Sequence, residues 1–144
     1  MVKHFIYGAA AIGAFLCGAI YPAYAAKLPR NGVFVFSSLC NEHESGDAAG
    51  YRIKLTRSAK GDSLYFEWSE GLLYGPALAS NFVIDPKTSK ITFTIPAHAP
   101  PNDLGEAESY SGQISTTAVI LDGKEKYRVV PRAKNSNGKI GPCR

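Results

Sequence analysis

Side chains along this chain alternate between apolar and polar with a period of two, and that rhythm excludes most folds. Tyr51, Ile53 and Leu55 alternate with Arg52, Lys54 and Thr56, and Leu64, Phe66 and Trp68 alternate with Tyr65, Glu67 and Ser69. Neighbouring side chains of a strand point to opposite faces, so each run reads as a strand with one buried face. Lys60-Gly61-Asp62 lies between the runs and supplies turn chemistry, which makes the two a hairpin. The β-branched and aromatic run Val33-Phe34-Val35-Phe36 reads as an earlier strand that ends near Cys40. The polar, acidic stretch 41–50 reads as a loop.

Further along, Phe82-Val83-Ile84 and Ile91 to Ile95 flank the turn residues 85–90, with Ile91, Phe93 and Ile95 expected to face inward. Residues 110–115 and 118–121 form a third hairpin, and 127–130 a last strand before Pro131. Residues 71–80 are broken by Gly75 and Pro76 and fit no single pattern. Residues 96–109 hold three prolines and no periodicity, and so read as a long loop, a class more often functional or mobile than inert. No window carries the apolar stripe of a helix. The expectation is an all-β fold, a small antiparallel β-barrel or sandwich of about seven to eight strands.

Composition narrows the class. The chain has 144 residues, enough for one domain, and 45% of them are hydrophobic, too many for a disordered chain. Its 14 Gly and 9 Pro follow no three-residue period, which excludes collagen.

The first residues carry a targeting signal. Lys3 and His4 precede an uncharged apolar stretch, 5–20; Pro22 breaks it, and Ala23-Tyr24-Ala25 places small residues where a signal peptidase reads. We expect a signal peptide over 1–25, cleaved after Ala25, a single secreted domain over 26–144 with no transmembrane segment, and a periplasmic or secreted location. The alternative is an uncleaved anchor, disfavoured because no basic stop-transfer cluster follows the A-x-A site. Cleavage removes Cys17 and leaves Cys40 and Cys143. An even pair in an oxidising compartment reads as one disulfide, which here joins the first strand to the last residues.

Several motifs spell chemistry that their surroundings do not support. Gly61-Asp62-Ser63-Leu64 resembles the signature of GDSL esterases, but that family needs an Asp-x-x-His pair, and neither His43 nor His98 has Asp three residues before it. The letters also sit at a hairpin turn, where Gly-Asp is ordinary. Ser136-x-x-Lys139 matches a Ser–Lys dyad but lies in a Gly/Asn-rich tail. Cys40, His43, His98 and Cys143 are zinc-ligand types, yet the disulfide consumes both sulfurs, so no metal or other cofactor is expected.

Two acidic clusters, Glu42, Glu44, Asp47 and Asp103, Glu106, Glu108, have the residue types of a glycosidase carboxylate pair, although solvated loops carry such clusters too. The C-terminal stretch holds Lys124, Lys126, Arg128, Arg132, Lys134, Lys139 and Arg144 against Glu125, a local positive field suited to an anionic partner. Phe34, Phe36, Phe66, Trp68 and Phe93 are expected in the core, while Tyr65, Tyr74, Tyr110 and His98 are the candidate ligand contacts near a barrel mouth.

No catalytic constellation emerges. The leading expectation is an exported binding protein without catalytic activity, whose partner is a small ligand, an envelope polymer or a protein; export sets nucleic acid aside. One alternative is a small hydrolase using the acidic loops. The other is an envelope structural or assembly protein that contacts an anionic partner through the basic stretch.

Overall fold

A computed structural model of the chain describes residues 26–97, 105–122, 128–134 and 140–143. The proposed leader, 1–25, lies outside the described residues. Ten strands and no helix occur among those described: β1 (Gly32–Ser37), β2 (Cys40–Asn41), β3 (Ala48–Arg57), β4 (Ser63–Leu78), β5 (Ser80–Ile84), β6 (Lys90–Ile95), β7 (Glu108–Ile114), β8 (Ala118–Leu121), β9 (Arg128–Pro131) and β10 (Gly141–Pro142). No described helix is long and apolar enough to cross a membrane.

The strands form two five-stranded sheets. In the first, β3 is central, pairing antiparallel with β4 on one side and with β1 and β2 on the other; β10 adds to β2 in parallel. The second is a meander, β5-β6-β7-β8-β9, antiparallel throughout. The alternation seen in the sequence puts Phe34, Phe36, Ile53, Leu55, Leu64 and Phe66 of the first sheet into one core with Ile91, Phe93, Ile95, Ile114, Val119, Leu121 and Val130 of the second. The largest of these, Phe36, Phe66 and Phe93, are at most 1% exposed, so side chains fill the space between the sheets. Burying this apolar surface is the main favourable term in folding.

The barrel alternative is not realised. The two sheets meet at one corner, where Arg132 bridges Phe36 and the Ala133 N–H donates to the Val35 carbonyl at 2.9 Å. At the other corner no described ladder joins β4 to β5. The reason lies in β4, which doubles back on itself: Gly75 sits so close to Phe66 and Glu67 that an added Cβ would come within 2.6 Å of the Phe66 carbonyl oxygen. Gly75 has φ +95°, which its missing Cβ permits, and the Gly75–Pro76 bond is cis. The Ala79 N–H then donates to the Leu64 carbonyl at 2.9 Å. This return occupies the edge that a closing strand would need.

One ambiguous stretch is resolved and two local expectations are corrected. Residues 71–80, which fit no single sequence pattern, form the second half of β4 and, after Ala79, the start of β5. Residues 41–50 are not wholly a loop, since β2 takes Asn41 and β3 starts at Ala48. The strand number rises to ten among the described residues because β2 and β10 are two-residue pairings, too short to carry any alternation.

The start of the described chain is docked on the body. Leu28 is buried, the Arg57 guanidinium donates to the Leu28 and Pro29 carbonyls, and the Thr116 N–H donates to the Ala26 carbonyl at 3.1 Å. Lys27 Nζ reaches the Pro86 carbonyl at 3.1 Å, beside the β5–β6 turn.

In that turn the Lys87 and Thr88 N–H groups donate to the Asp85 carboxylate at 2.7 and 3.3 Å. These bonds, the Lys87 one foremost, together with the Thr88 hydroxyl and the Lys27 charge, hold the Asp85 pKa below its ordinary value. A lowered folded pKa means that the stabilisation is complete above the ordinary value and disappears as pH falls through the folded one. Below about pH 4, therefore, the parent should lose stability more steeply than Asp85→Asn. Urea unfolding of both across that range checks it; parallel curves would contradict it.

Candidate functional site

The hairpin of β3 and β4 places Arg52 opposite Glu67 and Lys54 opposite Tyr65, on the face turned away from the core. β1 adds Val35 next to Lys54 and Val33 next to Thr56 on that same face. The β4 return brings Pro76 over the far side. Together Val33, Val35, Arg52, Lys54, Tyr65, Glu67 and Pro76 line an open groove of about 620 Å³.

This groove combines apolar side chains with a fixed ion pair at the end of the lining away from Val33. Val33 is 54% exposed and Tyr65 39%. Arg52 Nη1 donates to Glu67 Oε2 at 2.8 Å, and each side chain is only 17% exposed. A cross-strand ion pair held this way is pre-oriented, since both groups stand on the most extensively paired strands of the sheet. With Lys54 alongside, the lining carries two cations against one anion.

The other aromatic candidates stand elsewhere. Tyr74 stacks on Trp68, with ring centroids 5.4 Å apart, and Trp68 stacks on Phe66 at 5.7 Å. Tyr110 stacks on Phe93 at 5.0 Å and meets Phe66 at 4.8 Å. Tyr74 and Tyr110 thus belong to an aromatic stack on the inner side, while Tyr65 stands on the outer face; the three do not form one cluster. His98 lies outside the described residues.

The basic stretch divides as well. The Arg132 guanidinium lies over the Phe34 and Phe36 rings, 4.7 and 5.4 Å from their centroids, and donates to the Val33 carbonyl at 3.4 Å. It caps the core at the corner between the sheets. Lys134 is exposed, and Arg128 places only its backbone in β9. Lys124, Lys126, Lys139, Arg144 and the Arg128 side chain lie outside the described residues.

Cys40 and Cys143 are joined by a disulfide with Cα atoms 4.8 Å apart, so neither sulfur is available as a thiolate ligand. At the GDSL letters, Asp62 accepts from Arg57 Nε at 2.9 Å and from the Ser58 N–H at 3.3 Å, closing the hairpin, and Ser63 opens β4 opposite Thr56. Ser136 and Lys139 lie outside the described residues.

Topology gathers the acidic clusters at one end. Glu42, Glu44 and Asp47 sit in the turn from β2 to β3, and Glu106 and Glu108 sit where the chain enters β7, at the end of the sheets opposite the docked Leu28. All five are exposed, whereas a catalytic carboxylic acid is usually tuned by burial. Asp103 lies outside the described residues.

The chain matches no protein-family model, and no curated protein or solved structure matches it significantly.

Proposed function

We propose that this is an exported, non-catalytic binding protein whose ligand lies in the outer-face groove of the first sheet. The observation that carries the reading is the contrast between the two faces of that sheet. The inner face is closed against a side-chain-filled core, while the outer face presents a groove in which exposed apolar side chains lie beside a preformed ion pair. Binding sites combine apolar lining with a few fixed polar groups in this manner. Export accords with the disulfide, which persists in oxidising compartments, and with the leader pattern of residues 1–25.

Native mass spectrometry of the protein purified from its own envelope tests the reading. The parent should retain a bound molecule or partner, and Tyr65→Ala should lose it while keeping the parent's melting temperature. Equal retention by both would place binding elsewhere on the molecule.

A further inference from the structure

We infer that the ligand of this groove is a neutral oligosaccharide strand, packed on Tyr65 and hydrogen-bonded through its hydroxyls to the Arg52–Glu67 pair; this rests on the groove being the binding site. The first argument concerns what the groove floor lacks. Residues 52–56 of β3 pair with β1 on one side and β4 on the other. No sheet edge is offered there, so an extended peptide cannot add as a strand and satisfy its amides on main-chain groups. The Pro76 wall has no N–H to give either. A peptide lying here would leave most of its buried amides without partners, which is costly.

The second argument concerns the polar groups that are present. A guanidinium only donates and a carboxylate only accepts, and here they stand side by side, 2.8 Å apart. A sugar hydroxyl does both, so it can accept from Arg52 and donate to Glu67 at once. An anion seated on the pair itself would meet Glu67 as a like charge, while Lys54, opposite Tyr65, adds a donor for a further hydroxyl; a hydrocarbon would strip water from the ion pair and return nothing. Charge-assisted bonds to hydroxyls are also stronger than neutral ones.

The third argument is shape. Val33, Val35, Tyr65 and Pro76 supply an apolar surface for the C–H face of a pyranose ring, and the groove of about 620 Å³ lies open along the sheet face instead of enclosing a cavity. An open groove admits a segment of a chain whose ends run on beyond it.

The test is a titration of ¹⁵N-labelled mature protein followed by amide shifts, with cellotetraose, chitotetraose and maltotetraose as separate probes, each to about 10 mM, since weak single-site binding falls in the millimolar range. Anilinonaphthalene sulfonate and an uncharged extended octapeptide serve as comparison probes. At least one tetrasaccharide should saturably shift the amides of Val35, Lys54, Tyr65 and Glu67. Tyr65→Ala should weaken that binding roughly tenfold, Tyr65→Phe should largely preserve it because the ring remains, and Glu67→Gln should weaken it. If the sugars leave these amides unmoved while the sulfonate or the peptide saturates them, the ligand class is wrong and the groove reading stands. If no probe moves them, both are wrong. Sugar binding indifferent to Tyr65→Ala also overturns the inference.

Discussion

The double variant Cys40→Ser, Cys143→Ser is expected to unfold about 4–5 kcal/mol more readily than the parent, the loss that loop-closure entropy assigns to a cross-link spanning about 100 residues. The two cysteines are separated by 103 positions, so the bridge restricts most of the chain once unfolded. In the folded state it fastens a tail whose other described pairing is the two-residue contact of β10 with β2. Urea unfolding of the oxidised parent, the reduced parent and the double variant measures the effect. A domain this size is typically stable by only 5–15 kcal/mol, so a large fraction is at stake. The last two samples should agree and fall well below the first. A loss under about 1 kcal/mol would show that the cross-link contributes little to the unfolded-state entropy.

Phe66→Ala is expected to cost about 3–5 kcal/mol, the range for removing a fully buried aromatic ring. Phe66 has no exposed surface and stands at the junction of the two sheets. Its ring meets Tyr51 and Trp68 at 5.7 Å on its own sheet, and Phe93 at 5.5 Å and Tyr110 at 4.8 Å across the core. Deleting it leaves a cavity that four rings cannot collapse into without leaving their rotamers. The neighbouring Tyr65→Ala, on the opposite face of the same strand, should shift stability by no more than about 0.5 kcal/mol. Comparing the two by thermal unfolding checks the face assignment as well as the magnitude. Reversed losses, large for Tyr65→Ala and small for Phe66→Ala, would mean that β4 is shifted by one residue from this register, and equal losses would deny the contrast between its two faces.

Local pattern was readable before the fold was. The inward set Ile91, Phe93 and Ile95 and the hairpin of β3 with β4 follow directly from alternation, because one buried face dictates the register of a strand. Cys40 and Cys143 could be paired by arithmetic alone once Cys17 was assigned to the leader. What could not be read was the behaviour of β4. Its return depends on Gly75 meeting the backbone of Phe66, a contact between segments with no shared pattern, and that return decides between an open pair of sheets and a barrel.

The candidate site was half legible. Tyr65 stood out as an aromatic on the polar side of an amphipathic strand. Arg52 and Glu67 did not, although a signal existed: a hairpin whose turn spans 58–61 sets Arg57 against Asp62, and the same register carries Arg52 to Glu67. Tyr74 and Tyr110 were harder, because their stacking partners, Trp68 and Phe93, are brought to them only by the β4 return and the β6–β7 pairing.

The margins of the two sheets carry a consequence for behaviour at high concentration. An unpaired strand margin is a template on which another copy of a chain can add, and addition repeated at both margins makes a filament. Here the outer rim of β4 is lined by its own return, and that of β1 meets Arg132 and Ala133. β5 is kinked by a register shift between Ser80 and Val83 where Asn81 takes φ +48°, and β9 finishes on Pro131, which has no N–H to offer. At high concentration the molecule therefore meets its copies with blunted rims, and opening the β4 return by cutting or mutating it should be the shortest route to polymerisation.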